Sequence, residues 1–274
     1  MSKNKGDLGT RMKCYEYVTR TYLTRRTPVI IRLDGNAFHT FTKGFNKPFD
    51  DIMVQTMQDT MRFLCDNIEG CVLGYTQSDE ITLVLQDYKK LTTEAWFSYN
   101  ISKVCSISAS MATYAFNLYY RDNVRTMCKN TLENSPYSTR KVLVGDDTYT
   151  YKYGLFDSRA FNIPKEEVNN CLLWRQQDAT RNSIEALAQS LFPSKAIEGI
   201  STKRLQDKMF TEKGVNWNDL PTHLKRGSCC IKQQVTKPIP GTDKIVERSQ
   251  WVVDLEIPIF SQDSDYVNSR IIFD

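Results

Sequence analysis

Val29-Ile-Ile-Arg-Leu-Asp-Gly35 decides the fold: a short run rich in β-branched residues opens after Pro28 and stops abruptly at Asp34-Gly35, the pattern of a buried strand ending in a turn. From it the chain can be read outward. From Asp50 to about residue 68, Met53, Met57, Met61 and Leu64 recur at helical spacing, with Asp50 or Asp51 placed to cap the first turn. Val72 to Tyr75 and Ile81 to Leu85 then read as two strands joined by the turn Thr76-Gln-Ser-Asp79, and the second strand places Ile81, Leu83 and Leu85 on one face. A long helical pattern follows from about Thr93 to Tyr120, with Trp96, Lys103, Ile107, Met111, Tyr114 and Leu118 near one side. After an irregular stretch from about 121 to 148, Tyr149 to Phe161 supplies a further strand.

This is β-α-β-β-α-β, an α+β class with the ferredoxin-like order. In that topology the third strand runs antiparallel beside the first, so its start lies against the first strand's end, and Asp34 and Asp79 meet. Residues 1–164 then form a core domain. Residues 165–274 form a C-terminal elaboration packed on it, with helices at about 165–192 and 200–213, Trp217 to Leu220, a basic Lys225-Arg226-Gly227 and a last strand near Trp251 to Ile257.

The composition agrees with a folded protein: 41% hydrophobic residues, 11% aromatic and 25% charged. A net charge of +4 suits a phosphate-bearing partner without requiring one. The first residues lack the apolar core of a secretory leader, and no stretch approaches the roughly 18 apolar residues of a membrane helix, so a cytoplasmic protein is expected. Eight cysteines include no Cys-x-x-Cys pair and only two histidines accompany them, so the thiols read as reduced core residues and not as a zinc site.

Two carboxylates brought together at strand ends repel each other unless a cation lies between them, and oxygen donors select hard ions such as Mg²⁺. Each aspartate alone is an ordinary turn residue, and only their adjacency points to a two-metal phosphoryl-transfer site. Gly35 to His39 follows directly and offers main-chain N–H groups to phosphates, and Lys47 and Lys103 are the candidate cationic contacts. Neither Gly-x-x-x-x-Gly-Lys-[Ser/Thr] nor Gly-x-Gly-x-x-Gly occurs, which removes the fingerprints of the P-loop and dinucleotide-binding folds. Arg175, Arg181, Lys225 and Arg226 are candidate contacts to RNA phosphates, with Trp174 and Trp217 as neighbours able to stack on bases or to serve the core.

Several segments together resemble the tRNA-histidine guanylyltransferase family, and more closely its bacterial and archaeal guanylyltransferase-like branch. They are Tyr15-Glu-Tyr-Val18, Val29 to Gly35 with Phe38-His39, Phe45-Asn-Lys-Pro48, Tyr75-Thr-Gln-Ser-Asp-Glu80, Trp96-Phe97 through Ser102-Lys103, Phe156-Asp-Ser-Arg159, Trp174-Arg-Gln-Gln-Asp178 and Arg226-Gly227, in the family's order. The resemblance implies a polymerase-like palm that adds nucleotides to the 5′ end of tRNA in the 3′-to-5′ direction, after ATP or GTP has activated a 5′-monophosphate. It implies two Mg²⁺ ions held by Asp34, the Gly35 carbonyl and Asp79, with Glu80 as a further catalytic carboxylate. It also implies nucleotide contacts from Asn36, Ala37, Phe38, His39, Lys47, Ser78 and Lys103, and a homotetramer.

Where eukaryotic members carry His-Ile-Asn-Asn, this chain has Thr180-Arg-Asn-Ser183 and keeps only Asn182. The change points toward templated repair of 5′-truncated tRNA and away from G−1 addition to histidine tRNA. Two other classes are carried as alternatives: a nucleotide cyclase-like palm acting on free nucleotides, and a non-catalytic RNA-binding module, which the absence of an aromatic RNP signature disfavours.

Overall fold

The computed structural model describes residues 7–127, 138–144, 147–238 and 245–271. After helix α1 (Leu8–Val18), its centre is strand β1 (Val29–Asn36), where Val29, Ile31 and Leu33 point to one face of the sheet and Ile30 to the other. β2 (Cys71–Gln77) and β3 (Glu80–Leu85) form the expected hairpin, and β3 pairs antiparallel with β1, setting Asp34 opposite Glu80. A two-stranded ribbon, β4 (Ser138–Val144) with β5 (Asp147–Tyr151), stands apart from this sheet, and β6 (Leu155–Asn162) flanks β1 on its other side. The fourth palm strand therefore begins six residues later than the sequence pattern suggests, because Asp147 to Tyr151 is spent on the ribbon.

Helices α3 (Asp51–Asn67) and α4 (Ile101–Met127) cover the face bearing Val29, Ile31 and Leu33. Asp50 caps α3 as expected, its carboxylate accepting from the Met53 N–H at 3.0 Å, and Met57, Met61 and Leu64 are fully buried, each contributing about 1.5–3 kcal/mol. The buried stripe of α4 is Val104, Ser108, Ala112, Ala115, Phe116, Tyr120 and Val124. The expected stripe was one residue out of register, so Lys103, Ile107 and Tyr114 are exposed. The two alanines bring the helix close to the sheet, a packing preference that hydrophobicity alone does not report.

The opposite face is also covered. There α5 (Val168–Leu191) lays Val168 and Leu172 against Ile30, Leu73, Tyr75 and Val84, together with Ile257, Phe260, Val267 and Ile271 from the C-terminal segment, whereas short helix α2 (Phe38–Phe41), which follows β1, packs its Phe38 and Phe41 into the cluster of α3 and α4. After α6 (Thr202–Lys213) and α7 (Thr222–Arg226), β7 (Ser228–Pro238) pairs with β2, and β8 (Ile245–Asp254) pairs with β7. The result is one six-stranded antiparallel sheet in the order β6-β1-β3-β2-β7-β8. Its first four strands have the ferredoxin-like order, and the last two come from residues read as C-terminal elaboration. The expected strand at Trp251–Ile257 lies mostly within β8, whereas β7 carried no recognised signal.

Among the seven cysteines in described positions none is bonded, and Cys65, Cys71, Cys229 and Cys230 are buried. Cys128 lies outside the described residues, as does part of the 122–148 stretch. No described helix is long and apolar enough to cross a membrane.

Candidate active site

Alternation along β1 puts Arg32 and Asp34 on the same face of the sheet as Ile30, which is the face under α5. The register then aligns three carboxylates across neighbouring strands: Asp157 on β6, Asp34 on β1 and Glu80 on β3. Asp79 completes the group from the two-residue turn before β3, where the Gly35 N–H donates to the Asp79 carbonyl at 3.0 Å. The meeting of strand ends that the topology called for is therefore present. Ser78, the first residue of that turn, has φ +51°, in the left-handed region that side chains disfavour, and its hydroxyl donates to Asp79 Oδ1 at 3.0 Å.

Two of the four carboxylates are neutralised within the chain. Asp157 lies 3.1 Å from the Arg159 guanidinium, and Glu80 Oε1 lies 2.8 Å from Arg175 Nε. Asp34 and Asp79 have no cation within ion-pair distance among the described residues. Burial pushes the Asp79 carboxyl above its usual range; the Ser78 hydroxyl opposes this and the charge of Asp34 adds to it. Burial also raises Glu80, against the lowering effect of Arg175 and Arg32.

Gly35 is required by close approach: a Cβ there would come 2.5 Å from the Phe38 ring. That ring is itself wedged among Phe41, Phe116 and Phe156 at centroid distances of 5.0–5.2 Å. Immediately after, Ala37 turns the chain at φ +56° into α2, so the main chain doubles back beside the carboxylates.

Beside this group opens a cavity of 420 Å³, within the range of small-molecule sites. Phe38 and His39 of α2 form one wall, the loop at Asn46, Lys47, Pro48 and Phe49 a second, and Ser78 and Asp79 its inner rim. Ala179, Asn182 and Ser183 of α5 and His223 of α7 close the far side. His223 Nδ1 is buried without a hydrogen-bond partner, and burial lowers the imidazole's proton affinity.

Of the expected nucleotide contacts, Phe38, His39, Lys47 and Ser78 therefore line one cavity together with Asp79, whereas Asn36, Ala37 and Lys103 are not in its wall. Lys103 is exposed near the start of α4, where its Nζ lies 5.9 Å from the Phe97 ring. Phe97, Ser98 and Tyr99 form a left-handed turn there, with φ of 50°, 51° and 58°. That turn is held by the Leu23 N–H to the Tyr99 carbonyl and the Ile101 N–H to the Thr21 carbonyl.

The expected RNA contacts separate. Arg175, only 6% exposed, is an internal cation that joins Glu80 to Asp178, which corrects its reading as a surface phosphate contact. A buried arginine on a largely polar helix has no sequence signal apart from the acidic Asp178 three residues on. Arg181 is exposed and pairs with Asp178, Asn182 lines the cavity, Lys225 Nζ donates to the Asn218 carbonyl at 2.7 Å, and the Arg226 carbonyl accepts from Tyr75 Oη at 2.8 Å. Trp217 is a core residue whose indole N–H donates to Ser183, whereas Trp174 is 52% exposed. Asp157 and His223 were not singled out in the sequence; only strand register, for the first, and the packing of α7, for the second, bring them in.

The donor set fits a hard divalent ion: Asp34 and Asp79 would supply oxygens to it, with the Gly35 carbonyl as a third candidate. No cluster of three or more His, Cys, Asp or Glu side chains suited to a metal occurs among the described residues, so the remaining ligands would come from the main chain and from substrate phosphates, as is usual for Mg²⁺. An antiparallel palm with paired strand-end carboxylates beside a nucleotide-sized cavity defines the class, a nucleotidyltransferase.

The family described as tRNAHis guanylyltransferase (Thg1) matches residues 9–164. The chain belongs to this family. A bacterial Thg1-like protein solved in complex with ATP is 41% identical, with a TM-score of 0.79, covering 97% of this chain and 99% of that one. A bacterial Thg1-like protein solved with GTP is 39% identical, with a TM-score of 0.77 over the same shares. The probable tRNA(His) guanylyltransferase of Mus musculus is 27% identical over 220 residues, 76% of this chain and 65% of the mouse protein.

Proposed function

We propose that this chain adds nucleotides to the 5′ end of tRNA in the 3′-to-5′ direction, repairing 5′-truncated molecules against a template, and depends on Mg²⁺. The observation that carries the reading is the Asp34–Asp79 pair, which has no cation within ion-pair distance among the described residues and whose Asp79 lines the rim of a 420 Å³ cavity. Two solved structures of bacterial Thg1-like protein, 41% and 39% identical to this chain, hold ATP and GTP, which supports a triphosphate as the cavity's occupant.

In this reading the 5′-phosphate oxygen of the RNA displaces pyrophosphate from ATP or GTP. The 3′-hydroxyl of an incoming nucleoside triphosphate then attacks the activated 5′ phosphorus and releases the mononucleotide. Lys47, His39 and Ser78 hold the triphosphate in the cavity, and Asn36 and Ala37 shape the turn that leads into it. Lys103, exposed near the start of α4, together with Arg181, Asn182, Lys225 and Arg226, contacts the second nucleotide or the RNA. Divalent ions at Asp34, Gly35 and Asp79 would supply charge neutralisation for the phosphates and activation of the attacking hydroxyl. Glu80 acts indirectly, fixed by Arg175 beside the pair. Thr180 to Ser183, in place of the eukaryotic His-Ile-Asn-Asn, favours templated repair over G−1 addition, and the family resemblance favours a cytoplasmic homotetramer.

The test is extension of a 5′-labelled, 5′-truncated tRNA with each nucleotide in turn, with and without Mg²⁺. Stepwise growth at the 5′ end that follows the opposing template base is expected, with Asp34→Ala and Asp79→Ala folded but inactive. Full activity in either variant sinks the assignment, and a product formed from GTP without RNA replaces it by a cyclase reading.

A further inference from the structure

On the sheet face under α5, Trp174 of that helix leaves half its surface in solvent, while its ring is braced by two guanidinium groups. Arg175 lies 4.2 Å from the ring centroid and Arg32 lies 5.6 Å away. Arg32 is on β1, two residues before Asp34 on the same face, so the braced ring begins roughly 7 Å along the strand from the carboxylate. Arg159 on β6 is the register partner of Arg32, which makes this the cationic approach to an otherwise acidic strand end. The other tryptophans, Trp96, Trp217 and Trp251, are all buried.

Along α5, Trp174 stands two turns, roughly 12 Å, from Asn182 in the cavity wall. Arg175, next to Trp174 in the chain, holds Glu80. A ligand on the tryptophan and a ligand in the cavity would therefore stand about two turns of α5 apart. An exposed aromatic face with adjacent guanidinium groups suits an unpaired base attached to a phosphate, since stacking works with any base and the cations take the backbone charge.

We infer that Trp174 is the platform on which the 5′-terminal base of the RNA acceptor stacks, with Arg32 and Arg159 receiving its phosphate. The inference rests on the RNA-extending function proposed above. It adds a second nucleotide seat, distinct from the triphosphate cavity, and makes Trp174 a positioning residue for the acceptor end.

Tryptophan fluorescence tests it directly, because Trp174 is the exposed indole among three buried ones. A 5′-monophosphorylated RNA hairpin with an unpaired 5′ nucleotide is expected to quench the full-length protein, and ATP or GTP alone to leave that emission component unchanged. Trp174→Ala should raise KM for the hairpin about tenfold or more while leaving KM for ATP unchanged, and Trp174→Phe, which keeps an aromatic face, should recover most of the loss. A thermal melt of both variants reports any change in fold. The inference fails if saturating hairpin causes no quenching, if ATP or GTP alone quenches the exposed indole, or if Trp174→Ala extends subsaturating RNA at the wild-type rate. Absence of RNA extension by the wild-type protein would instead defeat the proposed function itself.

Discussion

Asp79 and Glu80 are neighbours in the chain, both carboxylates, both shifted upward by burial, and yet they have opposite fates. Glu80 opens β3 and meets Arg175, a cation brought in by a different helix. Asp79 sits one residue earlier in the turn, beside the charge of Asp34, with the Ser78 hydroxyl and its own main-chain N–H to oppose the effect of burial. The first is a charge whose account is closed inside the protein; the second is a charge kept open toward a ligand. Sequence adjacency does not distinguish them. The partner that each one meets in space does.

The largest effect should come from the open side. Asp79→Asn is expected to cut nucleotide addition on the order of a thousandfold while the protein stays folded, measured as single-turnover extension of a 5′-truncated tRNA. Equal activity would erase the contrast with Glu80. On the closed side the loss should be in stability. Glu80→Ala leaves the 7%-exposed Arg175 side chain with Asp178 as its remaining counter-charge and should cost about 3 kcal/mol in denaturant unfolding. Replacing both Glu80 and Arg175 by apolar residues of similar volume should return part of that loss.

The main chain between the two strand ends is the next point of attack. Gly35→Ala would drive a methyl group to 2.5 Å from the confined Phe38 ring, at a cost of about 1–3 kcal/mol seen as a lower melting temperature. The smallest effect is a pH dependence. Because the folded-state value of Asp79 is raised, the unfolded chain releases that proton first, near 3.8. Stability therefore falls as pH rises from there through the raised value and stays lower above it. Asp79→Asn should remove this decline, and Mg²⁺ should raise the melting temperature of the wild type at neutral pH but not that of the variant; identical Mg²⁺ responses would contradict an ion held by Asp79.

Much of this contrast was legible in the residues. β-Branched Val29 to Ile31 ending at Asp34-Gly35, and the alternation of Ile81, Leu83 and Leu85, specify strands whose order follows from topology, and so the pairing of Asp34 with the turn at Asp79 could be anticipated. The α4 face could not be placed correctly, since Ala112 and Ala115 score weakly as apolar although their smallness is what lets the helix approach the sheet. Arg175 reads as a surface residue until Glu80 is placed beneath it. Trp174 and Trp217 are chemically alike, and only the Ser183 hydroxyl and the packing around α6 bury one of them. β7 was missed because joining a sheet at β2 is a non-local event: Ser228 to Pro238 carries few strong β-formers, and its pairing partner lies some 150 residues upstream.

That late strand has a consequence for how the protein is made. β2 keeps an unpaired edge until the ribosome has delivered the chain through β7, so the palm that bears the carboxylates emerges first but stays unsealed for much of its synthesis. A nascent chain stalled before Ser228 would present that edge to other chains, which gives cells a reason to favour rapid synthesis, or chaperone cover, until β7 has emerged.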